Sequence, residues 1–342
     1  MTLSHEQLRR CTLAVDMGTT RTRIYVKQSG LVVDEPSAVA VNTRSGGLMA
    51  VGQPAARMAG RTPAHIKLVH PVSQGTVVDI QMAQRMLRAM AGEKLHRAWR
   101  RKPLLRGAVC VPHDADPLAR RAAEETLKGL GVRRVELVDT LIAAGIGCGL
   151  PVGQPEATMI AVCGTGVTQV AVLSLGEIVA AATVPVGGET IDQAVLQHLR
   201  NQHELMLPGQ AVRELHLEVA AAGPMSPVTE VHGRDVATGR SRTAKVDPRE
   251  VQAIMQSLLA GLVDAIRDVL HRCPPELVAD LADRGIMLAG GSALLPGLDE
   301  RLRRATAMPV RIAENPAVGA VNGLAAMLKG KVQPLVLDPL AR

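Results

Sequence analysis

Phenylalanine is absent from these 342 residues, and tyrosine and tryptophan occur once each, as Tyr25 and Trp99. So few aromatic rings argue against recognition of single-stranded nucleic acid by base stacking, and no specific nucleic-acid partner is expected. The five cysteines (Cys11, Cys110, Cys148, Cys163, Cys273) stand alone, odd in number and without a CxxC pair. That excludes a disulfide framework and a cysteine zinc site, and it suits a reducing cytoplasm. No window of about 18 residues is both apolar and uncharged, so no membrane-spanning helix is expected. Met1 to Arg10 is polar and does not read as a signal peptide. The ten histidines are dispersed, with no HxxxH or HxH spacing to argue for a metal site. His198 and His203, five apart, are expected on different faces of a helix.

Apolar residues make up 47% of the chain, drawn from Val, Leu, Ala, Ile and Met, and the length suffices for two domains. The net charge of +7 comes mostly from arginine. A basic balance suits an anionic partner: a nucleotide, a nucleic acid or an acidic membrane surface.

Short apolar runs alternate with helical stretches, which is an α/β pattern. Leu13-Ala14-Val15 reads as a strand, residues 16–20 as a turn, and Thr22 to Lys27 as the returning strand. A strand–turn–strand is not a strand feeding a helix, and this excludes a Walker loop or a dinucleotide fingerprint. A second hairpin follows about 145 residues on: Thr158 to Val162, a tip at Cys163-Gly164-Thr165-Gly166, then Val167 to Leu173. Two such hairpins suggest two similar lobes facing one cleft. Asp116-Pro117 and Asp247-Pro248 read as helix starts, the second with Glu250 placed for a capping box, and Gly129 as a helix stop. Val251, Ile254, Leu258, Leu262, Ile266 and Val269 form the apolar stripe of the second helix. Pro224 to Thr243 reads as loops and short strands.

Small-residue turns expose backbone N–H groups that can cradle phosphate. Gly18, Thr19, Thr20 and Arg21 offer one such nest, and Gly164, Thr165 and Gly166 a second. Asp16 is placed to hold Mg²⁺ through water. Gly290, Gly291, Ser292 and Ala293, after a strand over residues 285–288, would let backbone approach a base or an α-phosphate.

These segments carry a resemblance. Residues 14–22, Ala-Val-Asp-Met-Gly-Thr-Thr-Arg-Thr, resemble the first phosphate motif of the actin-like superfamily in its MreB/Mbl form. The likeness continues through Glu35-Pro36-Ser37, Ala50-Val51-Gly52, Gly60-Arg61-Thr62-Pro63 and Cys110-Val111-Pro112. It resumes at Pro274-Pro275-Glu276-Leu277, Asp283-Arg284-Gly285-Ile286 and Gly290-Gly291-Ser292-Ala293-Leu294-Leu295. The resemblance implies an α/β, two-lobed actin-like fold of duplicated ribonuclease-H-like domains, with two smaller inserted subdomains around a nucleotide cleft. Lobe I would span residues 1–142 with its small subdomain at about 33–68. Lobe II would span 143–317 with its own at about 190–245, and 318–342 would return to lobe I. The resemblance also implies ATP or ADP with Mg²⁺, and protofilaments of the chain itself. It further implies a peripheral place on the inner leaflet of the cytoplasmic membrane, and partners in cell-wall or spore-wall synthesis, a paralogous MreB among them.

Departures from the family pattern fall on the chemistry. The family's aspartate in the second hairpin is Val162 here, the threonine after its glycines is Val167, and one tip glycine is Thr165. Its two glutamates before the inter-lobe helix are Asp139-Thr140, with Thr140 in place of the one that positions water. On the adenosine side, within Arg213-Glu214-Leu215-His216, the family's Glu and Lys are Arg213 and His216. Hydrolysis needs an oriented water and a metal against the developing charge. Loss of a general base costs roughly 10²–10⁴ in rate. Weak or absent ATP hydrolysis is therefore expected. The alternative is a small-molecule kinase of the same superfamily, with Asp139 or Asp192 as its base. Finally, Arg97, Arg100, Arg101 and Lys102 surround Trp99 where the family carries a membrane-dipping loop, and ring and charges together suit an anionic bilayer.

Overall fold

The structure is a computed structural model that describes residues 5–99, 105–222 and 228–330, the side chains of residues 5 and 93–99 aside. Leu13–Met17 and Arg21–Val26 pair antiparallel, as do Thr158–Cys163 and Thr168–Ser174. Both faces of these strands are buried, Leu13 and Val15 in one cluster and Ala14 in another, so a one-residue slip would exchange the side chains that the two cores receive. Each hairpin is closed by the same bond: the Gly18 N–H donates to the Arg21 carbonyl and the Gly164 N–H to the Val167 carbonyl, both at 2.9 Å.

The duplication extends beyond the hairpins. In the first sheet the spatial order is Arg134–Asp139, Arg106–Val111, Leu13–Met17, Arg21–Val26, Gly30–Pro36. In the second it is Val310–Ile312, Ile286–Ala289, Thr158–Cys163, Thr168–Ser174, Glu177–Val184. In both, three strands run antiparallel in succession and two more are added in parallel beside the first. Smaller three-stranded sheets lie within each half: Val39–Asn42 with Leu48–Val51 and Ile66–Val69, and Leu205–Met206 with Thr229–Asp235 and Ser241–Val246. The last two strands form a regular hairpin that begins in the stretch expected to be loops and short strands, 224–243, and runs three residues past it; residues 223–227 lie outside the described ones.

Between the two large sheets lie the helices Thr140–Gly147 and Gly319–Lys329. Their Leu141, Ala144, Leu324 and Leu328 share one buried cluster with Ala14 and Ala108 of the first sheet and Ile160 and Ala171 of the second. The helices meet backbone to backbone. A Cβ on Gly147 would lie 1.8 Å from the Gly319 oxygen, and one on Gly323 would lie 1.7 Å from the Ala143 oxygen. Only glycine permits that approach.

The helix starts follow the caps. Asp116 accepts the Ala119 N–H at 2.6 Å to open Pro117–Lys128, and Asp247 accepts the Arg249 N–H at 2.9 Å to open Pro248–His271. Gly129 ends the first of these while keeping a right-handed helical conformation, and the chain turns at Gly131 (φ 90°). Two expectations need correcting. Glu250 does not close a capping box; its carboxylate turns to His198 and His203. In the apolar stripe Val251, Leu262, Ile266 and Val269 are buried, but Met255 and Leu259 join them while Ile254 and Leu258 sit at the edge. A spacing of four drifts off the 3.6-residue turn.

Candidate functional site

The two hairpin tips face each other across a cavity of about 460 Å³. That volume is in the range of small-molecule sites, roughly 300–1,000 Å³. The tips touch: the Thr20 hydroxyl donates to the Thr165 hydroxyl at 2.6 Å. The first tip is braced from below, since Ser37 Oγ donates to the Gly18 carbonyl at 2.7 Å and lies 2.8 Å from Thr22 Oγ1. It is braced from the side by the Gly75 N–H, which donates to Thr19 Oγ1 at 3.1 Å. The glycine element at 290–292 lies against the second tip, with Ser292 Oγ donating to the Gly164 carbonyl at 2.8 Å. A Cβ on Gly290 would come within 2.2 Å of the Cys163 oxygen.

The cavity is lined by Asp16, Gly18, Thr19, Thr20 and Arg21 from the first lobe and by Gly164, Thr165 and Gly166 from the second. Gly290, Gly291, Ser292, Arg213 and His216 line it too, as do Thr140, Val162 and Val167. Three expected residues do not. Glu214 is exposed and accepts a bond from Gln210 at 3.0 Å, Leu215 is buried in the core of the second half, and Ala293 is buried in that same core.

The cations at the cavity are not free. Arg21 donates from Nε to Asp34 Oδ1 at 2.7 Å, and Arg23 Nε lies 3.2 Å from the same oxygen. Arg23 donates from Nη1 to Asp16 Oδ2 at 3.4 Å. Arg21, Asp34, Arg23 and Asp16 thus form one chain of alternating charge. Arg213 grips Asp192 Oδ2 with Nε at 3.0 Å and Nη2 at 2.7 Å, and His216 Nδ1 lies 2.9 Å from Asp192 Oδ1, off the angle of a hydrogen bond.

Asp16 was the residue expected to hold Mg²⁺. Among the described lining residues it is the one carboxylate. Burial raises its pKa above the ordinary carboxylate value, and Arg23 only partly offsets that. Val162 supplies no oxygen beside it. The Thr140 hydroxyl is turned away, donating to the Val111 carbonyl at 2.9 Å. Asp139 cannot reach in as a substitute. It caps the helix through the Leu141 N–H at 2.8 Å and lies 2.8 Å from His113 Nδ1. This donor set fits a hydrated Mg²⁺ poorly, since that ion is bound through available carboxylate oxygens and Asp16 is already paired.

Reasoning from the sequence missed Arg23, Gln74, Gly75 and Gln169, all of which line the cavity. The signal for Arg23 was present: a hairpin closed over residues 18–21 sets Arg23 opposite Asp16. Gln74 has φ 50° in a two-residue turn between Val72–Ser73 and Thr76–Val77, a contact distant in sequence with no local signature. Trp99 is the last residue of the helix Ile80–Trp99, which breaks at Gly92 (φ 40°). The side chains of Arg97 and Trp99, and the whole of Arg100, Arg101 and Lys102, lie outside what is described. No helix among the described residues is long and apolar enough to cross a membrane.

Known proteins share this arrangement. The family described as MreB/Mbl protein matches residues 10–335. The cell shape-determining protein MreB of Escherichia coli (strain K12) is 36% identical over 317 residues, covering 91% of each chain. The cell shape-determining protein Mbl of Bacillus subtilis (strain 168) is 34% identical over 318 residues, covering 92% of this chain and 95% of that one. Among solved structures, MreB5 of Spiroplasma citri bound to ADP superposes with a TM-score of 0.85 at 25% identity, over 93% of this chain and 96% of that one. The double helical filament of MamK superposes with a TM-score of 0.72 at 19% identity, over 94% and 99%, and this likeness shows the fold alone. Two duplicated sheets, two facing hairpin tips and a match over nearly the whole chain make this protein an actin-like member of the MreB/Mbl cell-shape family.

Proposed function

We propose that the chain is a filament-forming scaffold that binds ATP or ADP in the cleft, hydrolyses it weakly or not at all, and organises cell-wall or spore-wall assembly at the cytoplasmic membrane. The observation that carries the reading is the cleft itself. Two small-residue hairpin tips face one another across the cavity, yet the side chains that would direct a water are Thr140, bonded to the Val111 carbonyl, and Val162. The related MreB5 binds ADP, and MamK forms a double helical filament. Arg21 and Arg23 stand at the first hairpin, where a triphosphate would carry a metal, and a bound triphosphate would compete with Asp34 and Asp16 for their guanidinium groups. Nucleotide binding is then largely independent of Mg²⁺. The nucleotide acts as a structural ligand that holds two lobes at one angle, which is what a polymerising subunit requires.

The kinase alternative is weakened by the same contacts. Asp192 is held by Arg213, and Asp139 by a helix N-terminus and His113, so neither is free as a base. Sedimentation with and without nucleotide, electron microscopy of the pellet, and a phosphate-release assay test the proposal together. Polymers with phosphate release roughly 10²-fold or more below that of ordinary family members are expected. Turnover matching theirs, or substrate-stimulated consumption of ATP by a chain that forms no polymers, would overturn it.

A further inference from the structure

His198, His203 and Glu250 converge at the edge of the second lobe, away from the cleft. His198 Nε2 lies 2.7 Å and His203 Nε2 2.8 Å from the same carboxylate oxygen, Glu250 Oε2. The rings stand edge to face with centroids 5.9 Å apart. The three potential ligand atoms all lie within 4.8 Å of one another. The five-residue spacing of the histidines concealed this. His203 is the last residue of Gly188–His203, and the chain reverses at Glu204 (φ 50°), so the helix-face rule ends where His203 stands. Each donor is held from behind. Val195 and Leu199 bury the helix that carries His198, Leu205 anchors the chain after His203, and the Asp247 cap fixes the first turn that carries Glu250.

We infer that these three side chains form a binding site for a single divalent transition-metal ion of the Zn²⁺ class, which ties the end of Gly188–His203 to the start of Pro248–His271. Two imidazoles and one carboxylate favour borderline cations such as Zn²⁺, Co²⁺ or Ni²⁺ over Mg²⁺ or Ca²⁺, which prefer all-oxygen shells. Tetrahedral ligands about 2.0–2.1 Å from zinc stand roughly 3.3 Å apart. The two nitrogen–oxygen separations need to widen by only about half an ångström from their present hydrogen-bonded values. On binding, each imidazole offers its Nε2 lone pair, and the proton there moves to Nδ1 or to solvent. The carboxylate oxygen that accepted both bonds becomes the third ligand. The side chains are 24%, 17% and 37% exposed, which leaves an entry path and a fourth position for water. Glu250 occupies the place where a capping box would use it, yet its carboxylate faces the histidines.

The test uses the full chain without a histidine tag or nucleotide, titrated with Co²⁺ and followed by its visible d–d bands, then with Zn²⁺ against a chromophoric chelator. One equivalent is expected to bind, with nitrogen and oxygen ligands and no thiolate charge-transfer band. His203→Gln and Glu250→Gln are each expected to weaken binding at least about tenfold. Their metal-free melting temperatures, measured alongside, separate ligand loss from misfolding. His232→Gln, a histidine elsewhere on the same lobe, should bind like the parent. Absence of stoichiometric binding, or equal binding by Glu250→Gln and His203→Gln, would show a hydrogen-bonded tie and nothing more, and would overturn the site.

Discussion

Thr20 and Thr165, 145 residues apart, share a hydrogen bond of 2.6 Å across the mouth of the cleft. Each hydroxyl sits at a hairpin tip whose backbone is pinned by an identical bond, Gly18 to Arg21 and Gly164 to Val167. The two tips are therefore latched together across the cleft, and a phosphate bound between them, as proposed above, would replace this bond with its own. A neutral hydrogen bond contributes about 0.5–1.5 kcal/mol. Thr165→Val keeps the volume and removes the latch. Amide exchange at residues 18–21 is expected to rise by about 2- to 10-fold in the nucleotide-free protein, read by mass spectrometry. Unchanged exchange would mean the tips are held by their own lobes alone.

Arg23 makes a sharper prediction. It bridges Asp34 and Asp16 at 3.2 and 3.4 Å and is nearly buried. If this guanidinium supplies the positive charge that a triphosphate needs, ATP affinity should differ little between Mg²⁺ and EDTA. Arg23→Leu should lower affinity in EDTA by about 10- to 100-fold, the size of a lost charge-assisted bond. Adding Val162→Asp to Arg23→Leu frees Asp16 and provides a second carboxylate, so binding should become Mg²⁺-dependent. Calorimetric titration of the parent and both variants decides it. A parent that loses ATP on chelation would sink the idea.

How far the sequence carried this picture depends on range. Hairpins, caps and glycine turns are local, and their residues announce them: Gly18, Gly164, Asp116 and Asp247 fall where small or capping residues must. The contacts between side chains of different elements are mostly not local. The Arg23–Asp16 pair was within reach, because the hairpin register sets them opposite. Glu214 and Leu215 were assigned to the cleft as a run, but residues on a helix diverge by about 100° each. Arg213 and His216, three apart, share the cleft face of Gly209–Ala222, and the two between them turn away. The His198–Glu250 contact spans 52 residues and had no signature at all.

The contact between Thr140–Gly147 and Gly319–Lys329 should tolerate no added carbon. A methyl on Gly323 would strike the Ala143 oxygen at 1.7 Å. Elsewhere in a helix Gly→Ala stabilises by roughly 0.5–1 kcal/mol, so the sign is the test. Gly323→Ala is expected to destabilise by about 1–3 kcal/mol or more in urea unfolding, because the helices must separate. Gly291→Ala, at a position with nothing within 4 Å of the new carbon, should leave stability nearly unchanged. A neutral Gly323→Ala would mean that the helices between the sheets slide freely.

The last prediction concerns pH. Asp235 Oδ1 accepts the Thr238 N–H at 2.7 Å and the Thr238 hydroxyl at 2.8 Å, and Oδ2 accepts Arg242 at 3.0 Å. These bonds favour the charged carboxylate and hold its pKa down at about 2, with the Thr238 backbone bond the largest cause. The unfolded value is about 3.9. A depressed folded pKa means that the carboxylate's contribution to stability is complete above the unfolded value. It drains away as pH falls from about 4 toward 2, because over that range the unfolded chain takes up the proton and the folded carboxylate does not. Asp235→Asn has no such proton to take up, while every other acid titrates alike in both proteins and cancels. The stability difference between parent and variant, measured by urea unfolding, should therefore be constant from pH 7 to about 5 and shrink below 4. The Thr238 amide shift should titrate with a midpoint of about 2. A midpoint near 4 would mean that the turn does not hold its carboxylate, and the difference curve would then be flat.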